Sequence, residues 1–130
     1  MKVIGFNHVT IRVSDLARSL TFYREVLGME LVHRGRTDAY LEWGEAWVCL
    51  IQLSSPRPHD PNALGVDHVA FSIADTDFPD AVRRLREAQV PLVRGPMERG
   101  GGQVVNFLDP DGNQLECYTS SLHERMKRWK

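Results

Sequence analysis

Cysteine is nearly absent from this chain. Cys49 and Cys117 are the only two, no CxxC pair exists, and each sits inside an apolar, strand-like run. Such residues read as reduced core side chains rather than as a bridge. Long apolar stretches are missing too. Nothing approaches a membrane span, and Met1–Asn7 lacks the apolar run of a signal peptide, so the expected compartment is the cytoplasm. Neither sign of charge dominates: the net charge is -1, with no general pull toward nucleic acid or acidic membranes. The one basic cluster, Arg125, Lys127, Arg128 and Lys130, is interrupted by Met126 and Trp129 and reads as an amphipathic terminal helix. What is there is 130 residues, 42% hydrophobic and 25% charged. That is the composition of a soluble globular protein with room for one domain and an apolar core.

The chain carries one unit twice. Gly5-Phe6-Asn7-His8-Val9 and Gly65-Val66-Asp67-His68-Val69 align without a gap, about 60 positions apart. The match continues through Val13/Ile73 and Asp15/Asp75 to Val32/Leu92. Two copies can pair about a pseudo-twofold axis and bring equivalent histidines toward one point. Imidazole is the commonest protein metal ligand, so the duplication predicts a site as well as a scaffold.

Residue spacing predicts the elements of each unit. Ile4–Val13 alternates as a strand, with Val9, Ile11 and Val13 on one face and His8, Thr10 and Arg12 on the other. Ser14-Asp15 offers a cap for a helix over Leu16–Leu27, closed by Gly28. Strands follow at Glu30–Arg34, Asp38–Trp43 and Trp47–Leu53, then a linker with Pro56, Pro58 and Pro61. The second copy reads as strand Asp67–Ile73, helix Phe78–Gln89 capped by Asp77, and a short extended piece Pro91–Arg94. Gly100-Gly101-Gly102 reads as a flexible loop, Gln103–Leu108 as a strand, Asp109–Asn113 as a tight turn and Gln114–Tyr118 as the last strand. The predicted class is α+β: two tandem βαβββ modules within one domain, about 4–55 and 65–120. A linker of about 56–64 joins them, and a terminal helix of about 121–130 follows. Two small sheets of this kind can curve around a shared cleft.

Gln114, Glu116 and Tyr118 share one face of the last strand. His8, His68 and Glu116 therefore make a two-histidine, one-carboxylate set, which leaves coordination positions open as a catalytic metal site requires. A histidine on a strand is more often a satisfied surface residue, and the in-register repetition is what favours a ligand role.

Four segments carry a family resemblance: Asn7-His8-Val9-Thr10, Phe22-Tyr23-Arg24-Glu25-Val26-Leu27-Gly28, Asp67-His68-Val69-Ala70-Phe71 and Phe107-Leu108-Asp109-Pro110-Asp111-Gly112-Asn113. They resemble the vicinal oxygen chelate superfamily, which includes glyoxalase I, extradiol dioxygenases, bleomycin-binding proteins and fosfomycin-resistance enzymes. Ala39-Tyr40-Leu41-Glu42, Ala46–Leu50 and Ser121–Arg128 are most similar to the fosfomycin-resistance branch. The resemblance implies a divalent metal (manganese, iron, nickel or zinc) on His8, His68 and Glu116. It also implies a homodimer in which the first module of one subunit pairs with the second of another. Thr10 would then contact the ligand beside the metal, Trp47 would wall the pocket, Tyr40 would lie in or behind it, and Arg125 would face a phosphonate.

The chain departs from that branch between Met97 and Asn106, where a Lys and then Ser and Tyr hydroxyls are expected. Glycine and valine stand there instead, and Asn106 takes the Tyr position. Arg99 or Arg94 could supply the missing cation, since a guanidinium pairs well with phosphonate oxygens. The implied reaction is opening of a small oxygen-rich electrophile, such as the epoxide of fosfomycin, by a thiol cosubstrate or by water. For water as nucleophile a carboxylate base is needed, and Asp38 falls about where the resemblance to epoxide-hydrating relatives implies one. Alternatives in the same superfamily are an extradiol-type dioxygenase, a glyoxalase- or isomerase-like enzyme, and a non-catalytic drug-binding dimer. For the last, an intact ligand triad is a contrary sign.

Overall fold

A computed structural model describes residues 1–128, and Trp129 and Lys130 of the predicted terminal helix lie outside the described residues. The chain is α+β and divides into two compact units, Met1–Arg57 and Pro58–Lys130. The boundary falls in the proline-rich linker.

Unit 1 holds β1 (Val9–Val13), α1 (Leu16–Leu20), β2 (Glu30–Arg34), β3 (Asp38–Trp43) and β4 (Ala46–Gln52). Its sheet runs β1-β4-β3-β2, with β1 parallel to β4 and the remaining pairs antiparallel. Asp15 caps α1, its side chain accepting from the Arg18 amide at 3.1 Å. The predicted helix to Leu27 is α-helical only to Leu20 and continues as a π-helix over Thr21–Val26. The extra residue in the turn lets the neighbours Phe22 and Tyr23 both turn inward, packed edge to face with ring centroids 5.2 Å apart. π-turns inserted in α-helices are rare and placed where the packing needs them. Leu16, Leu20, Tyr23 and Leu27 are all buried, as their spacing predicts, and Ala39, Leu41, Val48 and Leu50 are the buried strand residues of the same unit.

Unit 2 repeats the order with β5 (Val69–Ser72), α2 (Phe78–Glu87), β6 (Leu92–Arg99), β7 (Gly102–Leu108) and β8 (Gln114–Tyr118), followed by α3 (Leu122–Arg128). Its sheet order, β5-β8-β7-β6, matches that of unit 1, again with one parallel pair. Phe78, Val82 and Leu85 of α2 are buried, as are Val105, Phe107, Leu115 and Cys117 of the strands. Asp77 stands at the N-cap of α2 without the side-chain bond its position predicts. The Asp109–Asn113 turn is tightly bonded: the Asp109 carboxylate accepts from the amides of Asp111 and Asn113 at 2.9 and 2.8 Å. Gly112 there has φ 88°, a conformation that glycine adopts without strain.

Several boundaries differ from the sequence reading. β1 and β5 begin at Val9 and Val69 rather than at Ile4 and Asp67, because the parallel registers start at Val9↔Val48 and Val69↔Leu115. Upstream residues have no neighbouring strand in their own unit, and Ile4, Phe6, Leu64 and Val66 stay exposed. β6 runs on through Pro96 to Arg99; it is an edge strand, where proline's missing N–H costs no ladder bond. The triple glycine is a tight turn and not a loose loop, since Gly102 already belongs to β7.

Candidate metal centre and ligand face

Strand alternation puts Val9, Ile11 and Val13 toward the core of unit 1 and leaves Thr10 and Arg12 outward. His8 comes immediately before β1. Its Nδ1 donates to Asn7 Oδ1 at 2.6 Å, and its ring packs on Trp47 with centroids 4.3 Å apart. Trp47 meets Tyr40 edge to face at 5.9 Å, and Tyr40 meets His33 at 5.2 Å. A strip of four rings therefore crosses the outward face of this sheet. In cross-strand register, Thr10 pairs with Cys49, Cys49 with Tyr40, and Tyr40 with His33. Asp38 lies on the Tyr40 face of β3, two residues back, and its carboxylate covers Gly35 so closely that a Cβ there would collide with it.

Unit 2 builds the corresponding face from different side chains. His68 immediately precedes β5. Its Nδ1 donates to Asp67 Oδ2 at 2.7 Å, while its Nε2 lies 2.6 Å from Glu116 Oε2. Glu116 is on the interior strand β8, flanked by Ala70 and Asn106, and is 9% exposed. Carboxylate oxygens at both ring nitrogens hold this imidazole in one orientation. Beside it, Asn106 is 1% exposed; its Nδ2 donates to Gln114 Oε1 at 3.1 Å. Its Oδ1 is buried with no hydrogen-bond partner among the described residues. Arg94 pairs with Asn106 across the next register, so Ala70, Glu116, Asn106 and Arg94 form one row. On the opposite face Cys117 is buried, and burial, reinforced by the Glu116 carboxylate, pushes its thiol up to about 12.

The glycine turn is pinned from the C-terminal side. Tyr118 Oη donates to the Arg99 carbonyl at 2.8 Å and Ser120 Oγ to the Gly100 carbonyl at 2.9 Å. The Gln103 amide donates to Thr119 Oγ1 at 2.9 Å. Gly100 has φ 58°, and a Cβ there would also come within 2.9 Å of Arg125 Cγ on α3. Arg125 therefore lies over this turn. Arg99 pairs with Gly102 at the turn itself, so Arg94 and not Arg99 stands opposite Asn106.

Of the expected metal set, the structure brings His68 and Glu116 together within unit 2, while His8 belongs to unit 1. No group of three His, Cys, Asp or Glu side chains able to hold a metal is gathered among the described residues of one chain. The donors still fit a divalent first-row metal. Each histidine has Nδ1 engaged and so directs Nε2 outward, and Glu116 contributes an oxygen from a nearly buried position. Sequence reasoning sets His33 off the predicted cleft, whereas its ring closes the aromatic strip beside Tyr40. It missed the two residues that hold Nδ1, although both stand next to a histidine in the repeated motif.

A vicinal oxygen chelate protein is what this fold and donor set define. The chain belongs to the Glyoxalase/Bleomycin resistance protein/Dioxygenase superfamily, whose family model matches residues 5–117. It is 39% identical to the glutathione transferase FosA of Serratia marcescens over 94% of this chain and 85% of that protein. It is 36% identical to a metallothiol transferase FosB of Staphylococcus epidermidis, over 100% of this chain and 92% of the relative. Among solved structures, the fosfomycin resistance protein FosX from Mesorhizobium loti superposes with a TM-score of 0.76 at 27% identity, covering 96% of this chain and 99% of that one. Among the described residues, no helix is long and apolar enough to cross a membrane.

Proposed function

We propose that this protein is a divalent-metal-dependent enzyme that opens the epoxide of fosfomycin, or of a related small oxygen-rich electrophile, by attack of a thiol or of water. The observation that carries the reading is the 2.6 Å approach of His68 Nε2 to Glu116 Oε2, in a chain whose relatives are a metallothiol and a glutathione transferase. His8, His68 and Glu116 would hold the ion, with manganese, iron, nickel and zinc all compatible with nitrogen and carboxylate donors. A bound divalent metal supplies Lewis-acid stabilisation of the negative charge that develops on the epoxide oxygen.

The chain's own residues do the rest. Thr10 donates a hydrogen bond to that oxygen, a contribution that grows as charge develops. Trp47 and Tyr40 wall one side of the pocket. Arg125, with Arg99 or Arg94, pairs the phosphonate oxygens and Asn106 borders them, so that the electrophile is held in one orientation. A sulfur–carbon or oxygen–carbon bond forms at one epoxide carbon as that carbon's own bond to the ring oxygen breaks, and the alkoxide takes up a proton in place of the one the thiol or water gives up. With water as nucleophile, Asp38 removes its proton. Reduced, buried Cys49 and Cys117 support a cytoplasmic location for such an enzyme.

The working unit in this reading is a homodimer, unit 1 of one subunit completing the site of unit 2 of the other. Support comes from matched positions: Ile4 and Leu64 are 102% and 104% exposed, and Phe6 and Val66 are 83% and 77%. Apolar side chains in such a set mark a surface that another chain covers. β1 and β5 are also outer strands of their sheets. Sedimentation equilibrium should give a dimer, and a folded, metal-loaded monomer at micromolar concentration would refute it.

Phosphorus NMR of fosfomycin incubated with the manganese-loaded protein tests the chemistry. A thiol adduct that requires glutathione, bacillithiol or cysteine, or a diol that does not, supports the reading. Unchanged fosfomycin with all three thiols and without thiol, in a metal-replete dimer, removes it.

A further inference from the structure

Each proposed metal-binding histidine follows a residue whose side chain holds the other ring nitrogen. His68 Nδ1 lies 2.7 Å from Asp67 Oδ2, and His8 Nδ1 lies 2.6 Å from Asn7 Oδ1. A carboxylate or amide carbonyl oxygen can only accept, so both rings carry a hydrogen on Nδ1. The second nitrogen, Nε2, then turns away from the chain segment that holds the ring. In unit 2 it arrives at Glu116.

We propose that Asp67 and Asn7 are a matched pair of positioning residues for metal ligation, each fixing the tautomer and ring angle of the histidine beside it. The inference rests on the metal site proposed above. The same bond is made at equivalent points of the two units by two residue types, one charged and one neutral. What they share is an oxygen acceptor one residue before the ring, and that shared feature assigns the role to geometry more than to charge. Asp67 has no packing duty to confuse the matter: its side chain is 83% exposed, so removing it leaves no cavity. Free rotation of an unheld imidazole would put Nε2 on the metal in only a fraction of its rotamers, and the wrong tautomer would not bind there at all.

Manganese titration of the metal-stripped full-length protein, with free Mn(II) read by electron paramagnetic resonance, tests this without turnover. Asp67→Ala should weaken affinity by about 10–100-fold, the usual effect of losing an outer partner of a metal-bound histidine. Asn7→Ala should weaken it in the same direction. Asp67→Asn should restore most of the loss, because the amide oxygen accepts the same hydrogen bond that Asn7 accepts in unit 1. Circular dichroism should show all three folded as the parent is. Parent-like affinity in Asp67→Ala overturns the proposal. So does Asp67→Asn as weak as Asp67→Ala, which would transfer the effect to charge. His68→Ala separates the two levels: loss of binding there beside an unaffected Asp67→Ala sinks only the positioning role. Stoichiometric manganese retained by His68→Ala would sink the metal site itself and this inference with it.

Discussion

The two units share a strand order and even a bulge, yet they carry different chemistry at matched positions. A register shift falls between Leu31 and His33 in one and between Leu92 and Arg94 in the other, which has a second between Arg94 and Met97. Across the sheets, the row Thr10, Cys49, Tyr40, His33 corresponds to the row Ala70, Glu116, Asn106, Arg94. Thr10 is thus answered by Ala70, Cys49 by Glu116, Tyr40 by Asn106 and His33 by Arg94. One row offers hydroxyls and rings, the other a carboxylate, an amide and a guanidinium. Only the histidines just before β1 and β5 are common to both faces. Duplication supplied two equivalent backbones, and the side chains divided the work: unit 2 carries two of the proposed ligands, and unit 1 brings one together with an aromatic wall.

The largest expected effects test the shared scaffold. Phe107 and Leu41 occupy matched inward positions, paired with Leu115 and Val48, and both are fully buried. Urea denaturation should show a cost of about 3–5 kcal/mol for Phe107→Ala and about 2–5 kcal/mol for Leu41→Ala. A cost below about 1 kcal/mol for either would contradict its place in the core. Next comes a change that makes unit 2 imitate unit 1. Glu116→Cys should keep the fold and lower manganese affinity by about 100-fold or more, which is about 2.8 kcal/mol at 1.4 kcal/mol per tenfold. Parent-like titration curves would remove Glu116 from the metal set.

A smaller effect, opposite in sign, is expected at Asn106. Its buried Oδ1 without a partner among the described residues is a cost that the fold bears. The double variant Asn106→Leu/Gln114→Leu should therefore raise unfolding stability, by about 1 kcal/mol, because the unsatisfied oxygen disappears without leaving Gln114 Oε1 unpaired. Destabilisation instead would mean that the oxygen is satisfied in the folded protein. The smallest effect concerns α3, which has no counterpart in unit 1. Lys127 donates to Glu124 at 2.9 Å and holds its carboxyl below the ordinary value. A carboxyl depressed on folding adds stability above its ordinary value and loses it as pH falls through the depressed one. Amide protection factors in α3 should fall slightly across that acidic window, and Glu124→Gln should abolish the change.

Much of this was legible in the residues. Asp15 caps where its position says, Gly28 closes the helix with φ 84°, and Asp109–Asn113 forms the expected turn. The shared face of Gln114, Glu116 and Tyr118 on the last strand, and that of His8, Thr10 and Arg12 on the first, follow from alternation alone. The helix over Leu16–Leu27 was legible as a buried stripe and not as a π-helix, because spacing reports which residues face inward and not how the turn between them is wound.

The sequence by itself determined the duplication, the family, the order of the elements and the identity of the three ligand candidates. It could do so because each is a property of residues near one another along the chain: a motif, an alternation, a cap. Only the tertiary structure decided that Cys49 matches Glu116, that Arg94 and not Arg99 opposes Asn106, and that His68 Nε2 meets Glu116 at 2.6 Å. Cross-strand register is set by bulges and turn lengths, and one inserted residue moves every later side chain to a new partner. The late start of β1 and β5 has the same origin. Val3–Phe6 and Leu64–Val66 have strand-like composition, but a strand exists only where another lies beside it to take its hydrogen bonds.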